Sequence, residues 1–204
     1  MSELTKLNDI QLDVFKEIGS IGAGHAAKAL SELVNRPVQL NVPSVGVFTF
    51  DHLLDHLGGA DHPILASVFR VEDDVKGWMF VLFEHEAARY LLAELLGETN
   101  VSNWEEDLAV SAIGEIGNIV LGAYLTALNQ LTGLRMAPSI PNVVFDMVGA
   151  VLSQGLAEAS PYGNEVLLID TTFVEADHAT SQFLFMPDLE SYSRLLTALG
   201  MGKV

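Results

Sequence analysis

The sequence contains no cysteine, which removes disulfides, thiolate nucleophiles and cysteine-ligated zinc together. It is also short of cations: ten lysines and arginines stand against twenty-seven aspartates and glutamates, for a formal net charge of -17. A field of that sign repels phosphate backbones, so no nucleic-acid partner is expected. No basic region followed by an apolar stretch opens the chain at MSELTKLNDIQLDVF, which argues against a signal peptide. No apolar run approaches the roughly 20 residues that span a bilayer, so no membrane insertion is expected. A GxSxG motif is missing too, and with no cysteine either, nucleophilic hydrolase chemistry has no starting point. What the 204 residues do hold is apolar material: half are hydrophobic and only 18% are charged, which excludes a disordered chain. That length suffices for one domain, or two small lobes, with a real core. The composition reads as a soluble acidic protein, expected in the cytoplasm.

An internal repeat organises the rest. Lys16-Glu17-Ile18-Gly19-Ser20-Ile21-Gly22-Ala23-Gly24 is echoed by Gly114-Glu115-Ile116-Gly117-Asn118-Ile119-Val120-Leu121-Gly122, at an offset of 98 positions. The same offset puts Ile10 on Leu108, Ala29 on Ala127, Leu30 on Leu128, Leu33 on Leu131 and Pro43 on Pro141. Apolar matches at helical spacing are cheap in so apolar a chain, but a glutamate, two glycines and a distant proline at one offset are not. The expectation is a single domain, residues 1–204, made of two repeats at about 8–97 and about 104–200.

Apolar periodicity predicts a helix over 8–34, stopped by Pro37, and its counterpart over 105–131. Strands are expected over 38–50, 64–71 and 77–83, with a tight turn at 71–75 between the last two, and then a helix over 85–96. A polar connector at 97–100 follows. In the second half the order recurs as a strand at 141–145, strands near 165–174 and 180–186, and a helix at 189–199. Residues 146–159 read as an extra helix, whereas 51–59 is shorter and richer in His and Asp. Two copies of helix, strands and helix predict an α+β fold with pseudo-two-fold symmetry, mostly antiparallel, with helices on at least one face of the sheet.

The repeated helix carries polar groups at a regular interval. Ser111, Glu115 and Asn118 fall at i, i+4 and i+7, one stripe at 100° per residue, and Asp13, Glu17 and Ser20 match them in the first half. A carboxylate can pair with a partner's cation, and a carboxamide both donates to and accepts from water. Neither is a good nucleophile, so the stripe suits the positioning of a water molecule. Read from spacing alone, it is equally the solvated face of any amphipathic helix.

Ser111-xxx-Glu115-xx-Asn118, followed after 22 residues by Pro141, resembles the signature of the CheC/CheX/FliY family of chemotaxis phosphatases. Asp13-xxx-Glu17 with Pro43 fits the same pattern, and the stretch Glu17 to His25 is similar to the family's first helix. The likeness runs over almost the whole chain and is nearest to the free-standing, two-site CheC type. It implies a CheC-like fold and hydrolysis of the aspartyl phosphate of a CheY-type response regulator. Asn118 would orient the water, while Glu115, and Glu17 in the first half, would pair with a lysine beside the phosphoaspartate. Pro43 and Pro141 would be structural parts of the motif. No cofactor is expected on this chain, magnesium belonging to the regulator, and a CheD-type deamidase is a further implied partner. A binding module or scaffold without catalysis is the alternative reading. The first set departs from the family pattern at Ser20, where an asparagine is usual. A hydroxyl is shorter than a forked amide and counts against hydrolysis there, leaving Asp13 and Glu17 as docking groups.

Three other features point to different chemistry. Gly19 to Gly24 is glycine-rich like a phosphate loop but lacks the preceding strand and the Lys-Ser/Thr ending. Gly19 and Gly24, with Gly117 and Gly122, read instead as places where a helix thins for close packing. Asp51, His52, Asp55, His56, Asp61 and His62 have partial zinc-ligand spacing without an HExxH pattern, and no metal site is expected from them. His25 and His178 lack a carboxylate at suggestive spacing.

Overall fold

Each half of the chain lays down the same succession of elements. The first half forms α1 (Asp9–Leu33), β1 (Gln39–Leu40), β2 (Ser44–Thr49), α2 (Phe50–His56), β3 (Pro63–Asp73), β4 (Gly77–Phe83) and α3 (His85–Leu96). The second forms α4 (Asp107–Thr132), β5 (Met136–Pro138), β6 (Asn142–Met147), α5 (Val148–Ala159), β7 (Glu165–Val174), β8 (Thr180–Pro187) and α6 (Leu189–Ala198). This computed structural model describes residues 7–40, 44–96, 107–159, 164–174 and 180–201.

Local chemistry sets the ends of the long helices. Asn8 and Gln11 cap α1 reciprocally, each backbone amide bonding the other's side-chain oxygen at 3.0 Å. Past their last turns, α1 and α4 both stop on a left-handed residue at matching positions, Asn35 at φ 52° and Gly133 at φ 69°. The strands form one antiparallel sheet, ordered β1-β7-β8-β4-β3-β5, with β2 on β7 and β6 on β3. Each half thus completes the other's edge. The registers match as well: Ser44 faces Asp170 at one edge as Asn142 faces Val68 at the other, and Leu40 faces Phe173 as Pro138 faces Val71. The central pair reads the same from either end, with Phe80 opposite Leu184 and Val81 opposite Phe183.

Side chains alternate across this sheet and feed two cores. Phe69, Val81, Ile169 and Phe183 point to α1, α3, α4 and α6, while Ala66, Phe80, Leu168 and Leu184 point to α2 and α5. Covered on both faces, β3 and β4 are near-continuous apolar runs. The register symmetry, with α1 and α4 on the same face, makes those two helices antiparallel neighbours. They meet where Gly22 lacks a side chain: a Cβ there would lie 2.7 Å from the Tyr124 ring.

Several expectations change. Strand 38–50 divides into β1 and β2, and Phe50 already belongs to α2. β3 runs on to Asp73, so the turn is shorter than 71–75, and β5 had no counterpart among the expected strands. The helix read over 146–159 starts at Val148 and is not extra, because α2 holds the same place in the first half. Helices cover both faces of the sheet. Gly24 and Gly122 have nothing within 4 Å of a built Cβ, so close packing falls to Gly117 and to Gly22, which the sequence pattern did not single out. Contrary to the reading of apolar runs, Leu108–Thr132 is long and apolar enough, by length and composition, to cross a membrane. Here half of that apolar window is buried, against α1 and the sheet. The 97–100 connector and residues 105–106 lie outside the described residues.

Candidate functional site

The two polar stripes lie on the sides of α1 and α4 turned away from the sheet. Asp13 and Glu17 are exposed and Ser20 is half-buried; Ser111, Glu115 and Asn118 are all exposed. On α4 the buried Ile113, Ile116, Gly117, Val120 and Tyr124 fall opposite the stripe at 100° per residue. The apolar residues therefore aim the polar ones, because burying one side of a helix points the other at solvent.

Three contacts fix α4 beneath the second stripe. The fully buried Ser67 hydroxyl, on β3, donates to the Ile113 carbonyl at 3.0 Å. Gly117 lies so near β3 that a Cβ would sit 2.8 Å from Ser67 Cβ and 2.9 Å from Phe69 Cζ. On the flank, Pro141 Cγ is 3.7 Å from where a Gly114 Cβ would be. Ser67 escaped the sequence reading, although a lone hydroxyl between Ala66 and Val68 in an apolar strand was a signal. Glycine-rich segment 19–24 lies within α1, which removes the strand-to-helix setting of a phosphate loop. Pro43 and His178 fall outside the described residues.

The stripes differ at their last position. Ser20 Oγ donates to the Lys16 carbonyl at 2.8 Å, folded back onto its own helix. The Asn118 carboxamide has no hydrogen-bond partner among the described residues, and the residue is exposed to solvent. Glu17 lies five residues before Gly22, and Glu115 nine before Tyr124. In antiparallel helices touching at that pair, a rise of 1.5 Å per residue sets the stripes roughly 20 Å apart along the axes.

The histidine-rich segment is dispersed by folding. His56 Nε2 lies 2.8 Å from Asp170 Oδ2, and His62 Nε2 lies 3.2 Å from both Glu84 oxygens. His52, Asp51, Asp55 and Asp61 stay exposed, as does His25 on α1. Among the described residues, no group of three or more His, Asp or Glu side chains gathers to hold a metal ion. Burial pushes the Asp170 carboxyl above its ordinary range, and the His56 hydrogen bond and charge oppose that only in part. This pair lies on the sheet face opposite α4.

Fold and stripe together describe one class of protein: a sheet between helical layers, built from two like halves, presenting a glutamate and an asparagine on an outer helix. Residues 108–145, which hold Ser111, Glu115, Asn118 and Pro141, match the model of the CheC-like family. Across 206 aligned residues the chain is 38% identical to the CheY-P phosphatase CheC of Bacillus subtilis, covering 98% of this chain and 99% of that protein. The chain belongs to the CheC-like family. Among solved structures, Thermotoga maritima FliY superposes with a TM-score of 0.71 at 19% identity, over 96% of this chain and 98% of its own. A chain of the CheX–CheY–BeF3–Mg2+ complex of Borrelia burgdorferi superposes with a TM-score of 0.57 at 14% identity, over 84% of this chain and 96% of its own. These last two show a shared fold.

Proposed function

We propose that the chain is a phosphatase that hydrolyses the aspartyl phosphate of a phosphorylated CheY-type response regulator in the cytoplasm, with Glu115 and Asn118 as the working pair. The reaction is supported by family membership and by whole-length likeness to a protein named a CheY-P phosphatase. The observation that carries it to particular atoms is the exposed Asn118 carboxamide, unengaged among the described residues, on a helix pinned from behind.

An aspartyl phosphate is a reactive acyl phosphate, and phosphoryl transfer is catalysed largely by positioning and charge neutralisation. The oxygen of water bonds to phosphorus, the bond from phosphorus to the carboxylate oxygen breaks, and its electron pair stays with the carboxylate. The proton of the water leaves with inorganic phosphate. Asn118 accepts from that water through its amide oxygen and can donate through its amide nitrogen. Glu115, about 4.5 Å along the axis from Asn118, reaches a lysine of the regulator. Ser111, a turn earlier, adds a short polar contact. Magnesium, which would neutralise phosphate charge, belongs to the regulator in this reading, in keeping with the named CheX–CheY–BeF3–Mg2+ complex. Asp13, Glu17 and Ser20 form a second surface that docks without hydrolysing. Residues 1–204 are one domain of two repeats, about 8–97 and 104–200. A CheD-type deamidase as second partner rests on resemblance alone.

The test is decay of a phosphorylated CheY-type regulator with substoichiometric wild type, Glu115→Ala and Asn118→Ala side by side. Wild type should turn over many regulators per chain, and Asn118→Ala should lose about 100-fold or more. Slowed decay, or acceleration that saturates at one regulator per chain, would make the protein a binding module instead.

A further inference from the structure

Resting on the reading just given, we propose that Ile140 is an apolar docking contact for the phosphorylated regulator, seated beside Glu115 and Asn118 and acting on recognition rather than on the chemical step. Ile140 is 90% exposed, and no other large hydrophobic among the described residues shows so much of itself to solvent. It is not the tip of a loose loop. On its N-terminal side, the Ser139 amide donates to the Arg70 carbonyl at 2.8 Å, and the Arg70 amide donates to Ser139 Oγ at 3.0 Å. The Ser139 hydroxyl in turn donates to the Ile140 carbonyl at 3.0 Å. On the other side Pro141 fixes its own φ and packs beside Gly114, the residue before Glu115. The side chain is thus held out at the flank of the stripe, on a segment bonded to the same strand that carries Ser67.

The surface continues along the helix. Leu108, 58% exposed, stands one turn before Ser111. Apolar groups therefore border the polar stripe at its start and at its side. Charge says what such a border must do. The regulator's phosphate is anionic and meets a chain of -17, so attraction between that phosphate and this chain does not hold the pair together. Short-range burial of apolar surface has to contribute instead, and a β-branched side chain on a fixed backbone loses little freedom when buried. The repeat offset of 98 sets Ile140 on Val42, so both halves carry a β-branched apolar residue just before the motif proline. The asparagine, by contrast, occurs at Asn118 and is replaced at Ser20. An apolar residue present with or without the asparagine fits a part in recognition, which both stripes share, better than a part in hydrolysis.

The experiment measures phosphate release against concentration of a CheY-type regulator phosphorylated by a small acyl phosphate, for wild type, Ile140→Ser, Ile140→Leu and Asn118→Ala. Ile140→Ser should raise KM about tenfold with kcat within twofold, Ile140→Leu should stay near wild type, and Asn118→Ala should lose kcat. Melting temperatures of both Ile140 variants should match wild type within about 2 °C, because so exposed a side chain adds little to the core. An unchanged KM for Ile140→Ser, or a loss confined to kcat, overturns the proposal while leaving the Asn118 assignment standing. So does a change in oligomeric state on size exclusion with KM unaltered, which would make Ile140 a contact between copies of this chain. Full activity in Asn118→Ala would defeat the underlying reading and this one with it.

Discussion

The stripes on α1 and α4 share spacing and a neighbouring partner helix, yet they end in different chemistry. Ser20 satisfies its hydroxyl on its own backbone, 2.8 Å from the Lys16 carbonyl, whereas Asn118 makes no such bond and projects outward. One side chain's length thus separates a surface that can aim a water from one that can only touch. The supporting contacts differ as well. Ser67 braces α4 through Ile113; the residue in the matching register at the other edge of the sheet is Ile169, which has no hydroxyl to give. On the opposite face the asymmetry reverses: Asp170 and His56 form a polar pair where the symmetry-related positions hold Val68 and Gln154.

The largest expected effect sets the stripes against each other. Asn118→Ala should cost about 100-fold in regulator dephosphorylation, and Ser20→Ala less than about twofold. Similar losses in the two variants would erase the distinction. Next comes the brace behind α4. Gly117→Ala should destabilise by about 1–3 kcal/mol, because a Cβ would meet Ser67 Cβ at 2.8 Å and Phe69 Cζ at 2.9 Å. Gly122→Ala, five residues on and open within 4 Å, should be neutral or stabilise by up to about 1 kcal/mol. Thermal melts give the comparison directly, and equal shifts would mean α4 is not pressed onto β3.

A third prediction concerns the polar pair, which the pseudo-symmetry does not repeat. Burial raises the Asp170 carboxyl above 3.8, with His56 opposing. Between 3.8 and that raised value the folded chain keeps a proton that the unfolded chain releases, so this group makes stability fall as pH rises through the window. Asp170→Asn removes that dependence. Its melting temperature relative to wild type should climb with pH across the window and then level off; a flat difference would show that the burial is compensated. The smallest effect is a gain. Ser20→Asn should add up to about twofold to the rate, as independent and distant sites combine additively. No gain would place the deficit in the backbone of α1 rather than in the length of one side chain.

Much of this was readable before any fold was known. Helices carry their periodicity locally, so α1, α3, α4 and α6 were placed within a few residues, and the polar triplets were visible as stripes because 100° per residue needs no tertiary contact. Short elements were not readable in that way. Met136–Pro138 is a strand because β3 lies beside it, and nothing in three residues announces a partner, while Gln39–Leu40 was legible only as part of one longer strand. Ser67 was passed over because its role depends on the Ile113 carbonyl, 46 positions away. His56 and His62 looked like neighbours in a ligand set, and the fold instead gave each a separate carboxylate.

Local sequence by itself determined the charge, the helical stripes and the identity of the groups on offer: a hydroxyl, a carboxylate and a carboxamide on one, two carboxylates and a hydroxyl on the other. Those follow from composition and from the fixed geometry of a helix. Tertiary structure decided which side of each helix meets solvent, how firmly α4 is braced, and which apolar residue is left bare beside it. Those depend on strands of one half completing the sheet of the other, and pairing between segments so far apart in the chain is set by packing of the whole, not by any segment alone.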